Sequence, residues 1–503
     1  MNIIRSIMIN ILTLLLIVVI AGCGRSVNEA DYSETEFQQI LDQRIPGWMD
    51  RYEVPGVTLA LVKNGETVWA GAYGLADVKN QIQMTPKTLC RVESISKSVT
   101  ARGVMKLVEM GAIQLDEPVY LHLKSWKFPE SDFDTDKVTI RHLLSHSSGL
   151  QLGTIGLEYD PREEKPPLRE SLTREVKFVQ EPGKSFIYSN VGFNLLELLI
   201  EDVTGQSFSD FMKEEVMIPS GMQTSSYEWQ EDFPTGVPNG YTLNGEPVPV
   251  YVYSEKGAGG LFANVKDIAR FVGGGILTDV YSAENILAQS SIRELYSPVM
   301  NVSGVYSFAA DHYGLGHFVE TLPTGQKAVF GGGQGNGWMT HFHLVPENGD
   351  GIVILTNSSR SWPLISHILS DWAEWNGFGS VGMGIITKAT TALWILVVLS
   401  MAGLVFQLIR IIRDYRQGER LIDLQINNYS LVQFLQLTLF LILTSILIWS
   451  LTREYLMITS VFPGVSGWLM VTLILAALTV FIMAIIPSRQ GSMQDIVMED
   501  KRH

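Results

Sequence analysis

Residues 91–111 read RVESISKSVTARGVMKLVEMG and combine three serines at alternate positions with a lysine among them. Only Ser94 has a lysine three positions further on, at Lys97. Residues i and i+3 share one face of a helix, so the Oγ atom of Ser94 and the Nζ atom of Lys97 can approach each other. The helical spacing continues to Gly111, which places Ser94 in the first turn, where the helix dipole and free N–H groups favour a developing negative charge.

This arrangement can pair a nucleophile with its base. A serine hydroxyl is a poor nucleophile until a base removes its proton. A lysine can help when burial or neighbouring cations lower its pKa. The spacing is common by chance, so a capped surface helix without chemistry remains the alternative for this stretch taken alone.

A second candidate stretch is EPGKSFIYSNVGFNLLELLIEDVTG, residues 181–205. The tripeptide from Tyr188 to Asn190 lies in a predicted turn between an extended segment and a helix with apolar periodicity. A turn can point a phenol and a carboxamide into a cleft, so Tyr188 is a candidate proton relay for Ser94. Asn190 is a candidate for binding a substrate carbonyl or orienting Lys97. Taken alone, the stretch favours a turn with a packed tyrosine.

Strands are predicted at both ends of the region that contains these stretches. The segment GVTLALVKNGETVWAGAYG (56–74) reads as two strands joined by Asn64-Gly65, which is a strong hairpin signal. Near the other end, strands at 338–345 and 351–356 turn through PENGDG. We therefore expect a mixed α/β (α+β) fold.

The expected domain covers residues 34–376. It has an antiparallel sheet flanked by helices, whose first and last strands meet, and a second, mainly helical lobe. A cleft between two lobes is the natural place for a site.

Composition excludes some functions and suggests a membrane part. The chain has 503 residues, of which 46% are hydrophobic and 18% are charged, and that charged share is low for a soluble protein. The net charge of −15 argues against a nucleic-acid partner. The two cysteines, Cys23 and Cys90, cannot build a disulfide framework or a cysteine-rich metal site. We expect neither a metal nor a cofactor.

Three long apolar stretches follow the folded region, at 389–409, 430–451 and 464–486. Each has the roughly 20 residues that a helix needs to cross a hydrocarbon core. None of them contains a charge, so they offer no path for a transported substrate, and we expect a membrane anchor.

Flanking positive charge predicts the orientation of these spans. The loop after the first span and the segment after the third are basic, whereas the loop between the second and third spans has Arg453 alone; the basic residues are Arg410, Arg413, Arg416 and Arg420, then Arg489, Lys501 and Arg502. The tail 487–503 should therefore be cytoplasmic. The domain 34–376 should be extracytoplasmic.

The N-terminus predicts export independently. Arg5 precedes an apolar run at 7–20, as in a secretory signal peptide. The ending IAGC resembles the bacterial lipobox, which implies a signal peptide 1–22, lipidation of Cys23 and a linker at 23–33. An ordinary signal peptide or an uncleaved anchor is the alternative. We expect a multi-pass protein of the bacterial cell membrane.

Taken together, the motifs identify a resemblance to the serine β-lactamase and penicillin-binding protein family, in its class C-like and D,D-peptidase/esterase branch. Ser-x-x-Lys is a signature of related enzymes. The resemblance spans about 45–360. Three further stretches support it, because their order and separation match those of the family: VTIRHLLSHSSGL (138–150), PGKSFIYSN (182–190) and GAGGLFANVKDIARFV (257–272).

The resemblance implies a role for each candidate residue. Ser94 would be the acylated nucleophile, and Lys97 would take part in proton transfer. Tyr188 would be the general base or relay, and Asn190 would contact substrate. Two histidines of the first supporting stretch would have structural roles, namely His142 and His146.

The third motif of the family departs from the pattern. It normally carries Lys or His, any residue and Gly on a strand lining the cleft. In VFGGGQGNGWMTHFH (329–343), alignment on the later Gly-Trp pair puts Gly331 at the Lys or His position. Gly333 is then the motif glycine, and the resemblance makes the Gln334 backbone N–H an oxyanion donor. The side chain that contributes positive field is absent.

Two histidines follow on the same strand. Alternation puts His341 and His343 on one face. We expect them to be packing residues, with substitution for the missing side chain as the alternative.

These observations predict a membrane-anchored serine hydrolase that works through an acyl-enzyme on an amide, ester or β-lactam carbonyl. Its partners would be membrane lipid and a small-molecule or cell-wall peptide substrate containing D-amino acids. The alternative is a weak or inactive binding or sensor domain, which the glycine at 331 favours.

Overall fold

The computed structural model describes residues 32–488 apart from short gaps at 155–156, 232, 234–235, 278–285, 426–428 and 453–456. The predicted signal peptide 1–22, Cys23 and the basic residues after 488 therefore lie outside the described residues, as does Arg453. The described chain divides into two compact units, which meet in sequence at Ile385 and Ile386.

The first unit contains a large antiparallel sheet. Its strands, with the short strands that form two small extra sheets, are β1 Gly56–Lys63, β2 Glu66–Asp77, β3 Ile82–Gln83, β4 Cys90–Arg91, β5 Gly240–Tyr241, β6 Pro247–Val248, β7 Phe262–Ala263, β8 Met300–Asn301, β9 His312–Tyr313, β10 Phe318–Thr321, β11 Lys327–Gly335, β12 Trp338–Val345 and β13 Asp350–Thr356. Within the described residues, nine strands form the main sheet in the order β3-β2-β1-β13-β12-β11-β10-β9-β8. β4 pairs with β7, and β5 with β6.

Local turn chemistry builds both predicted hairpins. Asn64 and Gly65 have φ of 50° and 81° between β1 and β2, the left-handed backbone that an Asn-Gly hairpin turn requires. β12 and β13 form the second hairpin at the predicted positions. Val57 on β1 pairs with Thr356 on β13, so the first and last strands meet as predicted.

Helices cover both faces of the sheet and form the second lobe. The helices of the first unit are α1 Glu34–Tyr52, α2 Ile95–Glu109, α3 Ile140–Leu144, α4 Leu168–Glu175, α5 Asn190–Thr204, α6 Phe208–Phe211, α7 Val265–Gly273, α8 Gln289–Tyr296 and α9 Trp362–Trp375. Odd-numbered residues of β1 pack with α1 and α9, whereas Ala60 and Val62 belong to the larger core that contains α2, α5 and α7. The α/β fold predicted from the sequence is confirmed, and its larger core lies on the α2 side of the sheet.

The second unit is helical. Its helices are α10 Ile385–Arg416, α11 Leu431–Leu451, α12 Met457–Val461 and α13 Pro463–Ile485. Among the residues described, three of these are long and apolar enough to cross a membrane, in agreement with the three predicted stretches. Length and composition alone leave their orientation a prediction.

Candidate active site

Ser94 lies at the start of α2, directly after a buried turn. It is the residue that precedes the first turn of the helix, with φ −66° and ψ −4°. Glu93 before it has a left-handed backbone, with φ 50°. The Nζ atom of Lys97 lies 3.0 Å from the Oγ atom of Ser94. The structure therefore brings the predicted pair within hydrogen-bond distance.

Lys97 is buried beneath the serine. Its side chain is 1% exposed, and its Nζ atom also donates to the carbonyl of Ala258 at 2.8 Å. Burial lowers the pKa of Lys97 to about 7, against an opposing effect of the Glu93 carboxylate. A substantial fraction of Lys97 is therefore neutral near neutral pH, and a neutral amine can accept the proton of Ser94.

Tyr188 lies on the other side of the lysine. The ammonium of Lys97 is 5.0 Å from the centre of the Tyr188 ring. Burial raises the pKa of Tyr188 above its usual range and neighbouring Tyr306 adds to this, whereas a hydrogen bond with Ser94 opposes it. The phenol therefore stays protonated near neutral pH, which fits a relay better than a phenolate base.

His146 holds the turn that carries Tyr188. Its ring centre is 4.2 Å from that of Tyr188, and its Nδ1 atom accepts the backbone N–H of Ser189 at 3.1 Å. Burial lowers the pKa of His146 well below its usual value, and the Lys97 charge adds to this. His142 instead accepts the backbone N–H of Thr139 at the start of α3. Both contacts are structural ones.

Asn190 is the first residue of α5. Ser189 precedes the helix and its Oγ atom accepts the backbone N–H of Gly192 at 3.1 Å. The side chain of Asn190 is buried, and its backbone N–H donates to Leu152. The local fold explains why the tripeptide stands at the helix entrance; a contact of Asn190 with substrate stays a prediction.

A buried glutamate that sequence reasoning missed fixes the loop that binds Lys97. The carboxylate of Glu197 accepts the backbone N–H groups of Lys256 at 2.6 Å and Gly257 at 2.7 Å. The next residue is Ala258, whose carbonyl binds Lys97. Burial raises the pKa of Glu197 to about 8. Its signal in the sequence is a single acid on the apolar face of NLLELLIED.

A second missed acid is Glu93, next to the serine. Its Oε1 atom lies 2.9 Å from Nε of Arg91 and accepts the hydroxyl of Tyr251 at 3.0 Å, and its Oε2 atom accepts the hydroxyl of Tyr253 at 3.0 Å. Arg91 and Glu93 are fully buried, and the guanidinium lies over both tyrosine rings. The sequence signal is a cation and an acid at alternate positions of an apolar extended stretch.

Glycines let β11 lie close to the serine turn. A Cβ atom on Gly331 would be 2.6 Å from the ring of Phe342 and 3.1 Å from Oγ of Ser98. A Cβ on Gly333 would overlap the carbonyl oxygen of Val92. The position expected to carry Lys or His is therefore bare, and the ring of the cross-strand neighbour fills the space where its side chain would begin.

Gln334 points to the opposite face of β11, where its Oε1 atom accepts Nε1–H of Trp362 at 2.8 Å. The glycines on either side of it flank the serine turn. Its backbone N–H as an oxyanion donor stays a prediction.

His341 and His343 lie on the face of the sheet away from α2. His341 Nε2 is 3.3 Å from His343 Nδ1, and His343 packs edge-on against Trp372 of α9. Both are buried, and burial lowers their pKa values. They are strand-packing residues, as expected, and do not replace the side chain missing at position 331. Within the described stretches, no three His, Cys, Asp or Glu side chains are grouped to hold a metal ion.

Curated relatives are similar over about two thirds of the chain. The chain is 26% identical over 387 residues to an unguisins hydrolase of Aspergillus campestris, covering 70% of each chain. It is 25% identical over 341 residues to the protein flp of Staphylococcus aureus, covering 66% of each.

Solved structures share the fold. A penicillin-binding protein homologue from Pyrococcus abyssi, described as octameric, has 27% identity and a TM-score of 0.60, with 70% of this chain and 81% of that chain covered. A class C β-lactamase has 22% identity and a TM-score of 0.56 over 68% of this chain and 97% of its own.

The model of the Beta-lactamase family matches residues 41–367. Since that match covers most of the chain, and includes every candidate site residue of the first unit, the protein belongs to the Beta-lactamase family of serine hydrolases.

Proposed function

We propose that this protein is a membrane-anchored hydrolase that acts outside the cytoplasm through an acyl-enzyme on Ser94. The observation that carries the proposal is the Lys97 amine, buried and 3.0 Å from the Ser94 hydroxyl. With a pKa lowered to about 7, this amine is available as a base near neutral pH.

In the acylation step, Oγ of Ser94 attacks the carbonyl carbon of an ester, amide or β-lactam while its proton passes to Lys97. The carbonyl oxygen becomes negative, and the backbone N–H groups of Ser94 and Gln334 stabilise it. As the tetrahedral species collapses, the bond to the leaving group breaks. The phenol of Tyr188 donates a proton to that group and regains one from the ammonium of Lys97.

Hydrolysis of the acyl-enzyme reverses these roles. A water molecule attacks the ester carbonyl and gives its proton to the amine of Lys97. The bond to Oγ then breaks, Ser94 recovers its proton through Lys97 and Tyr188, and the carboxylic acid leaves. Asn190 would bind the carbonyl side of the substrate.

The location suggests the substrate and partners. The three apolar helices can anchor the chain in lipid, and the positive-inside rule would place the domain 34–376 outside. Cell-wall peptides with D-amino acids are the substrates available there to a hydrolase of this family. Lipidation of Cys23 would add a second anchor.

Gly331 favours a second candidate function. A family fold that lacks the cation beside its serine could serve as a binding or sensor domain. The buried and hydrogen-bonded Lys97 argues against this, because a buried amine costs free energy of folding and would bring no compensating function to a domain without chemistry.

The test is covalent labelling of the detergent-solubilised full chain with an activated fluorophosphonate and a fluorescent penicillin. Wild type should give an adduct that Ser94→Ala abolishes. Ser96→Ala is the matched control, since Oγ of Ser96 is buried and accepts the backbone N–H of Leu261. The absence of an adduct with both probes would favour the binding domain.

Two further measurements test the anchoring. Protease added outside intact cells should remove the domain 34–376, and protection of the domain would contradict the topology. Mass spectrometry of the mature N-terminus should find a lipidated Cys23. A free Ala21 or Gly22 terminus would refute the lipoprotein prediction.

A further inference from the structure

We propose that this site selects neutral acyl donors, namely esters or internal amides whose leaving group is apolar and bears no free carboxylate. The inference rests on the proposed hydrolase function and names its substrate class. Four features around Ser94 support it. The Phe342 ring occupies the position expected for a cation, and Arg91 and Lys97 already have hydrogen-bond partners. Carboxylates lie at the end of β11, and an aromatic surface lies beside Tyr188.

The first feature is the pair of Gly331 and Phe342. Phe342 is fully buried, packs edge-on against Phe271 at 5.8 Å and lies within 2.6 Å of where a Cβ atom on Gly331 would be. A lysine or histidine cannot be added at 331 unless this ring moves. The strand therefore presents backbone and apolar surface where a cation would bind a substrate carboxylate.

The second feature is that the cations of the serine segment already have partners. Arg91 is fully buried, and its guanidinium donates to Glu93, to the carbonyl of Tyr251 at 2.6 Å and to that of Gly259 at 3.2 Å. Lys97 contacts Ser94 and a backbone carbonyl. A substrate carboxylate would have to compete with these buried interactions, which is unfavourable.

The third feature is negative charge at the far end of β11. A Cβ atom on Gly335 would be 2.5 Å from Oε1 of Glu93, so that carboxylate lies against the strand. The next side chain, Asn336, donates to Glu158 at 3.2 Å. Partial burial raises the pKa of Glu158 and the Glu93 charge adds to the rise, whereas the hydrogen bond with Asn336 and the Arg91 charge oppose it. Because Arg91 already neutralises Glu93, Glu158 is the acid at this end of the strand that would repel a substrate carboxylate.

The fourth feature is the aromatic surface beside the proton donor. Tyr306 stacks on Tyr188, with ring centres 5.2 Å apart and planes at 20°. It belongs to a short 3₁₀ helix, Gly304–Phe308, on which Val305 is 46% and Phe308 is 67% exposed. Because Tyr188 would protonate the leaving group, an apolar leaving group would contact this surface as it departs.

Together these features set the preference. A carboxylate that enters the site would lose water without gaining a cation, and an unpaired buried charge is strongly unfavourable. A neutral ester or amide meets no such penalty and gains contact with Tyr306. The preference should therefore appear in acylation, where the leaving group is still attached.

The experiment compares two esters of hippuric acid that differ in one group. Their leaving groups are 3-hydroxybenzoate and its methyl ester, so only the first carries a charge. Acylation of the detergent-solubilised full chain is followed by intact mass and by phenol release, with Ser94→Ala as the blank. We expect kcat/KM to be about tenfold or more higher for the neutral ester, the factor that about 1.4 kcal/mol produces.

Equal rates, a faster carboxylated ester, or no acylation by the neutral ester would each overturn the inference. Failure of the proposed function looks different, because then the fluorophosphonate would give no Ser94 adduct either. A Ser94 adduct together with preference for the carboxylated ester would leave the hydrolase standing and refute the substrate class alone.

Two variants locate the cause. Tyr306→Ala should lower kcat/KM for the neutral aryl ester about threefold or more relative to the ethyl ester of the same acid, a loss of the size expected for one aromatic contact. Tyr120→Ala, at another exposed tyrosine, should leave that ratio unchanged. Gly331→Lys combined with Phe342→Ala should narrow the preference against the carboxylated ester, and an unchanged preference would count against the role given to this pair.

Discussion

The two sides of Ser94 differ in chemistry. On the helical side, Lys97 is buried and Tyr188 is partly buried, and a hydrogen-bonded loop and the His146 ring hold them in place. On the strand side, β11 presents Gly331 and Gly333 and carries no cation at the expected position. The difference teaches that the proposed proton-transfer groups and the strand of the third motif belong to separate elements. One can change while the other stays complete.

The largest effect should come from breaking the helical side. Lys97→Met removes the base and should slow fluorophosphonate labelling of Ser94 by about 10²–10⁴-fold, the usual contribution of a positioned acid or base. Lys106→Met on the same helix is the control and should label normally. Labelling of Lys97→Met at the wild-type rate would assign the base elsewhere.

A substitution on the strand side should change the free energy of unfolding. Gly333→Ala places a Cβ atom against the backbone carbonyl of Val92, which cannot yield as a flexible side chain can, and should lower the free energy of unfolding by about 1–3 kcal/mol. Gly332→Ala is the matched control, because its Cβ would lie 3.2 Å from the Trp362 ring edge. Thermal unfolding of the full chain should rank Gly333→Ala well below Gly332→Ala. Equal midpoints would contradict the close approach of β11.

The pH profile links the two sides. Lys97 must be neutral to accept a proton, so acylation should fall as pH drops through its pKa, about 7. The Glu93 carboxylate raises that pKa. Glu93→Gln should therefore move the acid limb to lower pH. Tyr253→Phe removes a hydrogen bond to Glu93 but keeps its charge, so its profile should stay near wild type. A limb that moves upward in Glu93→Gln would contradict the assignment.

The last expected effect is confined to a pH dependence of stability and lies at Glu197. Its pKa is raised from 4.5 to about 8, so the folded protein binds a proton that the unfolded chain has released between those values. This contribution to stability is complete at low pH and is lost as pH rises toward 8. In Glu197→Gln, the thermal unfolding midpoint should decrease less between about pH 5 and 8 than it does in wild type. An equal decrease in both proteins would contradict the raised pKa of Glu197.

Much of the fold could be predicted because its signals are local. The Asn64-Gly65 turn and the alternation in β12 and β13 specify two hairpins without reference to the rest of the chain. The Ser94–Lys97 contact follows from helical spacing. Joining Tyr188 to them required the family resemblance, since nothing in the spacing places two distant segments together.

The missed features all depend on partners far away in sequence. Glu93 is satisfied by Tyr251 and Tyr253, and Glu197 by the loop at Lys256. A buried acid looks like a surface acid until those partners are known. The obstruction at Gly331 requires the strand register that sets Phe342 opposite it. The sequence shows that the cation is missing, and the structure shows that the Phe342 ring occupies its place.

The interior position of β1 in the sheet has a consequence for how the chain folds. β1 lies between β2 and β13, and Val57 pairs with Thr356. Its hairpin can form early, but one of its edges has no partner until almost the entire domain has been synthesised. Such distant pairing makes folding slow and leaves an unpaired apolar strand edge exposed to aggregation. Chains interrupted between β12 and β13 should therefore keep that edge of β1 exposed and should aggregate.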